Sequence, residues 1–179
     1  MTTVDAGLLV LRIGVGIVFA VHGAQKVFGW WNGPGVAGWH AAMERMGFRP
    51  PLFFAWLSAL GELVGGALLA LGLLSPLAAT ILIAQSVVII GAAHWQHGFF
   101  NKDSGYEFPF VLAAGATAVL LTGPGGWSID AALGLGLAPE ASIALLFVGL
   151  LVGLGLLWVR PMIASRRNAS TAHRGAPSR

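Results

Sequence analysis

The chain has no cysteine. Disulfides, thiol–disulfide relays, iron–sulfur clusters and thiolate metal sites are thereby excluded, and any redox role has to run through a bound cofactor or a quinone. Charge is scarce as well: 9% of the 179 residues are charged and 56% are hydrophobic, where a soluble domain carries roughly a quarter charged. With a mean hydropathy of +0.80, this is the composition of an integral membrane protein. The net charge of +3 comes from basic residues in loops and a tail. They form no patch on a soluble domain, so membrane topology accounts for them and nucleic acid is not a partner. The start, MTTVDAG, has no basic n-region, and no small-residue cleavage site follows the first apolar run. That run is expected to be retained.

What the sequence does contain is five apolar runs, about Ala6–Phe28, Leu52–Leu74, Leu77–Trp95, Glu107–Thr122 and Glu140–Val159, each read as a helix crossing the bilayer. The fold class is therefore all-α, an integral membrane helical bundle. Residues 1–138 form the membrane domain, 139–160 an extra transmembrane helix, and 161–179 a basic, disordered cytoplasmic tail. Between the first two runs, Val36, Trp39, Met43 and Met46 recur on one helical face, which predicts an interfacial helix over about 36–47. Trp30, Trp31 and Trp39 are expected in the headgroup belt. Gly61 with Gly65 and Gly149 with Gly153 make two GxxxG pairs that permit close helix contact, within the bundle or in an oligomer. Arg45, Arg49, Lys102 and the tail arginines fall on one side of a five-helix arrangement. The positive-inside rule makes that side cytoplasmic and puts the N-terminus outside, in a multi-pass protein of the cell membrane.

Chemistry concentrates on the first run. At 100° per residue, Arg12, Phe19, His22 and Lys26 share one side and the opposite side is aliphatic. A lipid-facing arginine is penalised by at least ~2.5 kcal/mol, so this stripe should face other helices. Glu62 lies near the middle of the second run, where a carboxylate either pairs with a cation or stays protonated. Arg12 reaches it from one side and His22 from the other. The expected partner is Arg12, in a structural ion pair, because its guanidinium stays charged and binds bidentately.

At the inner end, His22 and Lys26 close the first run, His94 and His97 close the third, and Glu107 opens the fourth. His22, Lys26 and Glu107 are the catalytic candidates. His94 and His97, one helical turn apart, are candidate ligand or proton-transfer groups able to face a common point. Blander readings stand beside these. Lys26 and the histidines could snorkel to headgroups, and Glu107 could be a helix N-terminal carboxylate. A HxxH at a membrane surface is more often loop chemistry than haem or metal ligation, so no metal or cofactor is assigned. Ser128 is expected to cap a short helix, with Asp130 beside it favouring the dipole or pairing with Arg12.

The motifs RxGxGxxFxxHGxQKxF (Arg12–Phe28), AxGELxGGxxLxxGLLSPLAA (from Ala59), HxxxGFF (His94–Phe100), GxE (Gly105–Glu107) and GPGxxSID (Gly123–Asp130) occur in that order. Together they resemble the DoxX family of small membrane proteins over roughly residues 8–134. The resemblance implies a four-helix core, which the run after Pro139 exceeds, and a link to respiratory or oxidative-stress redox. Relatives occur in archaeal thiosulfate:quinone oxidoreductase, and mycobacterial members partner a superoxide dismutase and a rhodanese-like sulfurtransferase. Arg12, His22, Lys26, Glu62 and Glu107 are the positions it carries over. Two classes of function stay open. One is a subunit of a quinone-dependent oxidoreductase working with soluble redox proteins. The other is a non-catalytic anchor that recruits cytoplasmic proteins. A solute transporter is weaker, for lack of a repeat pair or a broken helix.

Overall fold

Helix α1 (Thr3–Phe28) begins on a capping box, with Thr2 accepting from the Asp5 amide and Asp5 from the Thr2 amide. It stops at Gly29, whose φ of 72° most side chains would resist. The structure, a computed structural model, describes residues 2–174, with side chains to Arg160. Helix α2 (Gly35–Arg45) follows, then α3 (Pro51–Leu71), opened by a proline where a missing N–H costs nothing. Helix α3 closes at Gly72, where the Leu73 amide donates to Leu68 O and the Gly72 amide to Leu69 O, a Schellman turn. Helix α4 (Ser75–Ile89) runs straight back. Its ladder widens to a π turn over Ile90–His94 and tightens to a 3-10 turn over Trp95–His97. After a loop come α5 (Glu107–Thr122), a single-turn α6 (Ile129–Ala132) capped by the Ser128 hydroxyl as expected, and α7 (Pro139–Arg174).

No strand occurs among the described residues, and the chain is a helical membrane bundle. Four segments are long and apolar enough to cross a bilayer: α1, α3, α4 with its extension to His97, and Pro139–Arg160 of α7. Helix α5 has 16 residues, about 24 Å of helix against ~30 Å of hydrocarbon. The tail expected to be disordered falls on 161–179. There the backbone of α7 is helical to Arg174, and 175–179 lie outside the described residues.

The core is built by four helices. Val15 and Phe19 of α1, Leu69 of α3, Ala78, Ala79, Leu82 and Ile83 of α4, and Ala116, Val119 and Leu120 of α5 form one buried cluster. Helix α7 lies outside this ring, packed on α4 and more lightly on α5. Both GxxxG pairs are spent on α4: Gly61 and Gly65 meet Gln85 and Leu82, and Gly149 and Gly153 meet Thr80, Ile83, Ala84 and Val87.

Glycine also sets the register of the antiparallel α1–α3 pair. A Cβ added at Gly16 would fall 2.5 Å from Gly66 O and 2.6 Å from Ala70 N, and one at Gly66 would fall 2.5 Å from Ala20 N. Gly23 sits equally close to the Leu63 backbone. This contact, nearer than any side chain permits, locks Arg12 level with Ala70 and brings Lys26 beside Glu62.

Helix α2 folds over the Lys26 end of the bundle. The face predicted from Trp39, Met43 and Met46 packs with Phe48, Ala55 and Val88 in a second cluster, so it meets protein. Trp30 and Trp31 are exposed.

Candidate functional site

The buried ion pair differs from the expected one. Lys26 Nζ lies 2.5 Å from both carboxylate oxygens of Glu62, whose side chain is 1% exposed. Arg12 is on the same stripe but eight residues further along α3, ~12 Å of helix rise from Glu62. It donates to Ala70 O at 2.5 Å and to Trp127 O. The Arg12–Glu62 expectation is therefore corrected to Lys26–Glu62. Counting depth from the ends of the runs could not see the register that the glycine contacts impose.

Trp39 does more than an interface anchor would. Its indole is turned into the bundle. Nε1 donates to Ser58 Oγ at 2.7 Å, and the ring lies 4.2 Å from Lys26 Nζ, a cation–π contact. One wall further on, Gln85 Nε2 donates to Ser58 O at 2.7 Å. Ser58 is thus held from both sides by a tryptophan of α2 and an amide of α4.

These groups line a cavity of about 340 Å³ between α1, α2, α3, α4 and the start of α5. His22 and His94 also line it, with Phe19, Met43, Phe108 and other apolar side chains as the remaining walls. His22 Nδ1 is 2.9 Å from Val18 O and His94 Nδ1 is 2.6 Å from Ser104 O. A carbonyl only accepts, so each ring donates through Nδ1, and each neutral imidazole keeps Nε2 as an acceptor.

Two candidates stay outside. Glu107, at the first position of α5, accepts from the Asn101 amide at 3.0 Å and pins the 98–106 loop; it does not line the cavity. His97 is exposed and does not line the cavity that His94 lines. Among the described residues no group of three or more His, Asp or Glu side chains could hold a metal ion.

The opposite end holds a second buried polar group. Asp130, 2% exposed, accepts from the Leu74 amide at 2.7 Å and the Ser75 amide at 2.8 Å, capping α4 from across the fold. Its own amide donates to Gly72 O at 2.8 Å. Gly72 is a glycine for a reason beyond its φ of 67°: an added Cβ would fall 2.7 Å from Arg12 Nη1. The carboxylate is thus taken up by the start of α4: it neither bonds Arg12 nor serves the α6 it belongs to, the two roles that the sequence suggests.

Reasoning from residue types missed Trp39 and Gln85. Trp39 was hidden among generic interface aromatics. Gln85 carried a signal, as the lone amide in the apolar run ILIAQSVVII.

The DoxX family model matches residues 7–95, the segment carrying Lys26, Trp39, Ser58, Glu62, Gln85 and His94. Uncharacterized membrane protein Rv3486 of Mycobacterium tuberculosis is 31% identical over 134 residues, 69% of this chain and 78% of that protein. No solved structure matches. By its matched segment and this relative, the chain belongs to the DoxX family of integral membrane proteins.

Proposed function

We propose that the cavity beside Lys26 and Glu62 binds the headgroup of a membrane quinone, and that the chain is the quinone-handling membrane subunit of a redox system with soluble partners. The observation that carries this reading is a buried ion pair opening, with two imidazoles, on a largely apolar cavity of about 340 Å³, at the lower end of the 300–1,000 Å³ usual for small-molecule sites. Lys26 has three N–H donors and Glu62 takes two, which leaves one for a quinone carbonyl. The acceptor Nε2 of His22 or His94 suits the hydroxyl protons of a quinol. On oxidation those protons pass to the imidazoles, and the two electrons pass to a soluble redox protein docked at the loop end. In this reading the N-terminus is outside the cell membrane and the basic loops are cytoplasmic, where such a partner would be found.

Purified protein extracted for lipid should carry quinone, and Lys26→Met should abolish it. Protein free of quinone, with no binding when quinone is added back, would overturn the reading.

A recruiting scaffold is the second reading, and one observation favours it. The 98–106 loop is held by the backbone bonds Tyr106 N–Gly98 O and Glu107 N–Phe99 O while it exposes Phe99, Phe100 and Lys102. An ordered loop with outward aromatics is a plausible docking platform. Capture of a soluble partner that depends on Lys102, by protein without quinone, would select it.

A further inference from the structure

We infer that the site takes a head-and-tail lipid through the side of the bundle, with the quinone's isoprenoid tail lying in a trench between α3 and α7. Helix α7 packs on α4 and leaves α3 uncovered, so a groove of about 610 Å³ runs between them on a floor of α4. Its walls are apolar, with Leu57, Val64 and Val152 standing half-exposed at the rims. It extends from Phe54 to Leu68 along α3, about 21 Å at 1.5 Å per residue, roughly two-thirds of the hydrocarbon thickness.

What identifies the occupant is continuity. Met43, Phe48, Ser58, Gln85 and Val88 line both the trench and the polar cavity. Between the two spaces stand side chains and the Gln85–Ser58 hydrogen bond, with no helix interposed. Gly61 makes room for the Gln85 amide at this boundary, since a Cβ there would fall 2.6 Å from Gln85 Nε2. A molecule with a polar head and one long apolar chain fits this pair of spaces. A compact solute fills only the first of them.

The inference rests on the quinone reading, and its test separates the two. Lipid is as apolar as the trench, so a tail gains little by entering it. The trench matters because a head cannot seat while its tail has nowhere to go. The double variant Val64→Phe/Val152→Phe fills the trench from its rims without touching Lys26, Glu62 or either imidazole. Binding is measured in detergent by tryptophan quenching with two probes, tail-less 2,3-dimethyl-1,4-naphthoquinone and a menaquinone with four isoprene units, after monodispersity shows the variant folded.

The expected result is a loss of about tenfold or more for the tailed probe, equivalent to ~1.4 kcal/mol, with the tail-less probe unchanged. Equal binding of the tailed probe by variant and wild type overturns the trench. Equal weakening of both probes also overturns it. If the wild type binds neither probe, the quinone reading itself falls.

Discussion

At the two ends of the bundle the same residue types, a cation on α1 and a carboxylate from elsewhere, are used in opposite ways. Arg12 and Asp130 are each held by backbone: Ala70 O and Trp127 O for one, which leaves Arg12 Nε buried without a partner, and the Leu74 and Ser75 amides for the other. Every one of those bonds ties a helix end or a turn, so this end is a clasp. Lys26 and Glu62 instead satisfy each other, and what surrounds them is a tryptophan face, two imidazoles and open volume. A charge fastened to the backbone of helix ends and turns holds the fold in place. One fastened to a partner side chain beside open volume can turn to a ligand, because the partner can let go.

The comparison is broken most severely at the pair. Lys26→Met strands a buried carboxylate and should cost about 3–5 kcal/mol, while Lys26→Met/Glu62→Leu should return to within ~1 kcal/mol of wild type, because an apolar pair can replace a buried ion pair. Thermal unfolding in detergent measures both, and bound quinone should be lost from both. If stability fails to recover in the double variant, Lys26 and Glu62 do not act chiefly on each other.

The clasp should respond differently. Asp130→Asn offers one acceptor where two backbone amides need them, so about 1–3 kcal/mol is expected. Adding Arg12→Met should deepen the loss, since Ala70 O and Trp127 O then lose their own donor. Quinone binding should stay as it was in Asp130→Asn. Rescue of Asp130→Asn by Arg12→Met would mean that the two ends are built alike after all.

Much of this contrast was readable beforehand, and the unreadable part has a physical cause. The inward stripe of α1, the turn GPGxxSID and the Ser128 cap follow from helical period and turn chemistry. The partner of Glu62 does not, because depth counted from the ends of apolar runs leaves the register of α1 against α3 open, and Arg12 comes to rest level with Ala70, eight residues along α3 from Glu62. The missing information was in Gly16, Gly23 and Gly66, whose backbone-to-backbone contact fixes the register. Spacing alone also placed His97 with His94, but an i, i+3 relation does not say where the cavity wall ends: His94 lines it, and His97, at the end of the 3-10 turn beyond, is exposed.

That last difference gives the smallest expected effect and the finest division within the site end itself. His94 spends Nδ1 on Ser104 O and faces the cavity, whereas His97 is exposed. His94→Ala removes one hydrogen bond, worth about 0.5–1.5 kcal/mol net, and also loosens the loop it holds. His97→Ala removes none and should lie within ±0.5 kcal/mol of wild type, as surface changes do. The decisive readout is binding: titration with tail-less quinol should weaken in His94→Ala and be unchanged in His97→Ala. Equal weakening in both would show that the two rings serve one site, as their i, i+3 spacing suggests.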